Sequence, residues 1–245
     1  MKLFAKPSTA ILGSLSAIVA VFCFSTNDVA IKFISKDYAL HLVVLIRSLV
    51  GLIVLFLFIV PLSGGVKVLY TNRLGLHLLR GFCVVFANIT FFLGLAALPL
   101  AEGVAIFFIS PLLITIFSVV FLKEIVGPRR WAAVTIGLIG VLVILRPGSA
   151  TFQTASLLPL SAAFGYATLH MLTRYIGKTE SAASMSFYIQ LTFLVVCLML
   201  GFTIGDGKFS GWNDPSLEFL FRAWSWPSSD HYSILILIGT TSAFG

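Results

Sequence analysis

No Asp, Glu, Lys or Arg occurs between Glu180 and Asp206, and FLVVCLMLGF lies inside that stretch. A helix of about 20 apolar residues crosses the hydrocarbon core of a bilayer. Comparable runs recur at about 11–34, 41–61, 76–97, 102–122, 131–146, 155–176 and 184–205. Inside lipid every backbone N–H and C=O needs an internal partner, which a helix supplies within one segment. The predicted fold class is therefore an all-α membrane protein, a multi-helix transmembrane bundle. Composition points the same way, because 59% apolar and 10% charged residues give too little polar surface to clothe a water-soluble globule.

The net charge of +7 is distributed between the apolar runs rather than along a nucleic-acid-binding face, so no nucleic-acid partner is expected. With the N-terminus inside, Lys2, Lys6, Lys67, Arg73, Arg80, Lys123, Arg129, Arg130, Arg174 and Lys178 face the cytoplasm. Lys32, Lys36, Arg146, Lys208 and Arg222 face out, and Arg47 stays in the membrane. The positive-inside bias predicts a cytoplasmic N-terminus in a multi-pass protein of the cell inner (plasma) membrane. The first apolar run is too long for the h-region of a cleaved signal peptide and is read as a retained helix. Cys23, Cys83 and Cys197 are scattered and lack ligand spacing, so they read as small buried hydrophobes, with no metal site. Gly137/Gly140 and Gly201/Gly205 read as close-packing positions.

Two segments break the pattern. Asp206–Asp230 is a long polar connector whose LEFLFRAW piece, with Trp212, Trp224 and Trp226, suits a membrane interface. After it an eighth apolar run begins near Tyr232 and reaches Gly245, about 14 residues, short of the length needed to span. It is read as a helix that the sequence cuts.

Sliding the chain along itself until Cys23 falls on Gly165 lays CFSTNDVAIKFISK (Cys23–Lys36) over GYATLHMLTRYIGK. Phe24 then covers Tyr166, Asp28 covers His170 and Lys32 covers Arg174, while Arg47 falls one place from Gln190. A five-helix unit has an odd number of crossings, so its copy enters from the other side and an inverted repeat results. The expected units are 11–147, a first five-helix repeat, and 154–245, a second repeat truncated after about two and a half helices.

Charges inside lipid are costly and call for partners or a wet cavity. Asp28 and Lys32 are four apart on one face of the first helix, and Arg47 returns at similar depth on the second. Tyr166, His170 and Arg174 share one face of the sixth. Asp28 and His170 are candidates for proton coupling. Asn88, Ser110 and Gln190 could line the same cavity or bridge helices, and Pro111 breaks the fourth helix where a hinge or binding element would sit. A structural Asp28–Lys32 pair and a packed His170 remain open. No nucleotide-binding, zinc-protease or hydrolase motif occurs, and no cofactor is expected.

The sequence resembles the drug/metabolite transporter superfamily, specifically its EamA-type ten-helix carriers. The resemblance lies in NDVAIK (Asn27–Lys32), Arg47, FFLGLAALPLAEGVAIFFISPLL (Phe91–Leu113), FLKE (Phe121–Glu124), RRW (Arg129–Trp131), GLIGVLVILRP (Gly137–Pro147) and Arg174. The family usually places Gly before the Glu that ends the fourth helix, where this chain has Lys123. The resemblance implies a transporter of a small polar metabolite, often an exporter, rather than an enzyme. An intramembrane lipid-modifying enzyme and a structural or assembly protein are the alternatives. The expected partners are a small-molecule substrate and the lipid bilayer, and a homodimer stays open.

Overall fold

The computed structural model describes residues 9–145 and 153–244. Lys2, Lys6, Arg146 and Pro147 lie outside the described residues. Among those residues the chain is helical without strands, and six helices are long and apolar enough to cross a membrane. The chain is a multi-pass α-helical membrane protein.

The first span is α1 (Thr9–Ile34). The second is α2 (Leu40–Val54), which passes through a π-helical turn at Leu55–Ile59 into α3 (Val60–Leu62). α4 (Leu74–Ala97) follows. The fourth span is broken into α5 (Leu100–Phe107) and α6 (Ser110–Leu122). Pro111 lies in the first turn of α6, where its missing N–H is harmless, and the chain changes course at Phe108–Ile109. α7 (Pro128–Leu145), α8 (Leu157–Ile176) and α9 (Ala182–Ile204) complete the predicted segments. α10 (Pro215–Phe221) sits in the long connector, and α11 (Tyr232–Phe244) forms over the eighth apolar run.

α4 packs along α8 and α9, while α11 packs along α1 and α2. α2 and α9 close the centre, and α6 leans on α8. Glycines permit the closest approaches. A Cβ on Gly165 of α8 would lie 3.1 Å from the Cys83 carbonyl oxygen of α4, and one on Gly51 of α2 would lie 2.6 Å from Nε2 of Gln190. Gly201 makes room for the Trp224 ring, but nothing described lies within 4 Å of a Cβ on Gly137 or Gly140, so those two are not close-packing positions here.

The connector packs against the helix bundle. α10 packs on α4 and α2, with Phe219 buried and Ser216 donating to the Leu93 carbonyl at 2.8 Å. Arg222 donates to the Ser35 carbonyl at 2.9 Å, and Trp224 stacks on buried His41 at 5.7 Å. The amphipathic piece thus covers the end of the bundle. Trp212 and Trp226 do remain exposed.

The backbone at Lys123 shows why Gly suits this place in the family. Lys123 is the sole positive-φ non-glycine among the described residues (φ 54°), in the left-handed cap that ends α6. A Cβ there costs about 1–2 kcal/mol, partly offset by glycine's greater unfolded-state entropy. Lys123→Gly is therefore expected to stabilise the protein by about 0.5–1 kcal/mol, read as a rise in the thermal midpoint in detergent.

Candidate functional site

α1, α2, α4, α8, α9 and α11 enclose two adjoining cavities of about 160 and 430 Å³. Phe24, Arg47, Asn88, Tyr166 and Ser242 line both. Asp28, Phe91 and Phe107 belong to the smaller, and Arg80, His170, Thr173 and Gln190 to the larger. The structure thus brings together Asp28 of α1, Arg47 of α2, Asn88 of α4, Tyr166 and His170 of α8, and Gln190 of α9.

Arg47 stands at the junction. Its guanidinium lies 4.8 Å from the Phe193 ring centroid and 5.9 Å from that of Phe92. The residue is 5% exposed, and among the described residues its Nε has no hydrogen-bond partner. Asp28 lines the cavity beside it without an ion pair inside 4 Å among the described residues. An aromatic series forms one wall: Phe91–Phe107 at 4.7 Å, Phe107–Tyr166 at 5.2 Å and Tyr166–His170 at 4.3 Å. Phe107 is the last residue of α5, and its ring meets Tyr166 of α8.

The other predicted positions lie elsewhere. Lys32 does not pair with Asp28. Its ammonium donates to the carbonyl oxygens of Leu95, Ala96 and Leu98, the orphan acceptors at the end of α4. A cation at a helix C-terminus meets both the unsatisfied carbonyls and the negative end of the dipole, which outcompetes the neighbouring acid. Arg174 pairs with Glu124 at 3.1 Å and is half exposed. Ser110 is buried at the α5–α6 break and Pro111 is exposed, and neither lines these cavities.

Arg80, a loop charge by the sequence reading, is instead 5% exposed within α4. It donates to Thr173 Oγ1 at 2.8 Å and to the Met185 carbonyl at 3.0 Å, joining α4 to α8 and α9. The signal for it was present: Arg80, Val84 and Asn88 repeat at four-residue spacing on one face of α4, and all three line the larger cavity.

Polar contacts tie each end of the bundle. At the α1–α2 turn, Tyr38 shares a hydrogen bond with His231 Nδ1 at 2.9 Å and accepts from the Ser228 N–H at 3.0 Å. At the α8–α9 turn, Glu180 lies 3.3 Å from His77 Nε2 and accepts from Thr71 Oγ1 at 2.8 Å. Desolvation pushes the Glu180 carboxyl up, but the hydroxyl donors of Thr71 and Ser184 and the neighbouring His77 outweigh it and hold the group below the usual carboxylate range.

A family model described as the EamA-like transporter family matches residues 11–146. Over 191 residues the chain is 31% identical to a riboflavin transporter of Vibrio cholerae, a stretch covering 77% of this chain and 64% of that protein. It is 27% identical over 227 residues to an S-adenosylmethionine uptake transporter of Rickettsia prowazekii, covering 93% and 70%. It is 24% identical over 234 residues to a pseudopaline exporter of Pseudomonas aeruginosa, covering 95% and 75%. The chain thus spans about two thirds of the length of the relatives it matches.

Proposed function

The chain belongs to the EamA-like transporter family, and we propose that it is a secondary carrier, not an enzyme, moving a small polar organic metabolite by alternating access driven by a proton, an ion or exchange. The observation that carries this reading is the charged, aromatic-walled cavity lined by α1, α2, α4, α8, α9 and α11. The relatives' names span uptake and export, and the direction in this chain is left to experiment. The protein is read as lying in the inner membrane with its N-terminus cytoplasmic, by its loop charges.

The two halves are read as inverted repeats, 11–147 and 154–245. Exchange α1 with α8, α2 with α9 and α4 with α11. The α1–α11 packing then becomes α8–α4, α2–α11 becomes α9–α4, and α2–α9 maps onto itself; all are among the dominant packings. The cavity lining follows the same exchange. Phe24 answers Tyr166 and Asp28 answers His170 at one common offset, and Arg47 answers Gln190 one place further on. The two end contacts correspond as well. Tyr38 answers Glu180 at that same offset. His77 answers His231 and Asn88 answers Ser242 at a second, larger offset that these two pairs share, because the α9–α11 connector is longer.

Binding or coupling is assigned to Asp28, Arg47, Asn88, Tyr166, His170 and Gln190. The test is uptake of labelled metabolites into liposomes containing the purified protein. Saturable, protein-dependent uptake that Asn88→Trp blocks by filling the cavity is the expected outcome. Saturable uptake that Asn88→Trp leaves untouched would remove this cavity from the path, and protein-dependent conversion of lipid without uptake would point to an enzyme.

A further inference from the structure

The residues that line the cavity carry polar atoms without a partner among the described residues. Among the described residues Arg47 Nε, Asn88 Oδ1 and Gln190 Oε1 are buried without a hydrogen-bond partner. Arg47 is 5% and Gln190 9% exposed. Each orphan carries a penalty that a bound group can remove. A guanidinium offers donors, and a carboxamide offers one donor and one acceptor edge. Their complement is a group with an acceptor beside an N–H.

The walls fix the shape of what carries it. Phe91, Phe107, Tyr166 and His170 form a continuous aromatic series, and Arg47 is itself held over the Phe92 and Phe193 rings. Such surfaces favour a flat π-system stacked or edge-on against them. The combined space of about 160 and 430 Å³ is ample for a bicyclic or tricyclic ring with a polar tail. The wide arm reaches Arg80, Thr173 and Ser186, which suit hydroxyls or an acidic group. An aliphatic zwitterion would meet the charges and could donate to both carboxamide oxygens, but it would leave the aromatic wall unmatched.

We propose that the substrate is a flat nitrogen heterocycle with a carbonyl beside a ring N–H, that edge being read by Arg47, Asn88 and Gln190. This rests on the carrier reading above and narrows its substrate class. The probes are lumiflavin and inosine, which have that edge, their N3-methyl and N1-methyl derivatives, which have lost the N–H, and glutamate as the aliphatic zwitterion. Titration calorimetry on the purified protein is expected to show binding of at least one parent. Methylation weakens it about 10- to 100-fold, the loss of one or two buried hydrogen bonds. Asn88→Leu or Gln190→Met lowers the parent's affinity toward that of its methylated form. Equal binding of parent and methylated ring overturns the proposal without recourse to any variant, as does tighter binding of glutamate or no binding of either parent. If the heterocycles fail while Arg47→Ala abolishes transport of another solute, the cavity reading stands and only the substrate class falls. If a parent binds and none of the Arg47, Asn88 and Gln190 substitutions weakens it, the cavity reading itself fails.

Discussion

Arg47→Ala is expected to reduce transport about 100-fold while leaving the amount of folded protein near normal. Hydrogen bonds to charged groups contribute about 1.5–3 kcal/mol, and every 1.4 kcal/mol is tenfold. The guanidinium has no acid within 4 Å among the described residues, so its removal strands no partner charge. Its contacts are two aromatic rings that an alanine leaves packed against a small void. Arg47→Lys should recover only part of the activity, because an ammonium lacks the planar fork that stacks and pairs in two directions. Asp28→Asn should lower transport about tenfold. A merely structural Asp28–Arg47 couple predicts another pattern: each single substitution depletes folded protein and the double neutral change restores it. Transport and abundance measured together for the two singles and the double separate these cases.

Weakening one end contact should cost more transport than weakening both. Tyr38→Phe removes the hydroxyl that meets His231 and the Ser228 N–H. Glu180→Gln removes the charge beside His77. A carrier must visit both of its open states, so a loss of about 1.4 kcal/mol from one closed end shifts the population about tenfold toward the state open there and slows the cycle accordingly. Combining the two substitutions weakens both ends and rebalances the populations. The double variant is expected to transport faster than either single. Additive loss in the double would mean that the contacts hold the fold and do not set access.

Much of this was legible because lipid enforces strict rules. Uncharged runs of helix length have one outcome in a bilayer, and the helices form over the predicted segments. The lining residues were legible for the converse reason: Asp28, Arg47, Asn88, His170 and Gln190 are polar groups in runs where polarity is expensive. What failed to show was long-range in sequence. The acceptors of Lys32 lie 63 to 66 residues away, so local spacing offered Asp28 as its partner instead. The contacts of the α10 connector with Leu93, Ser35 and His41 were hidden for the same reason, since those partners come from other segments. Arg80 sits two turns inside α4, close enough to the polar Lys67–Arg73 segment to pass for a loop charge, and its burial depends on Thr173 and Met185 across the bundle.

The central claim is that one cavity is reached from both membrane faces by turns. With the native cysteines replaced, a single cysteine at Ser242, which lines both cavities, is labelled with a membrane-impermeant maleimide from each side in separate samples. Labelling should occur from both sides, Tyr38→Phe raising it from the face of the α1–α2 turn and lowering it from the other, and Glu180→Gln doing the reverse. Labelling from one face alone, unmoved by either substitution, would contradict the account.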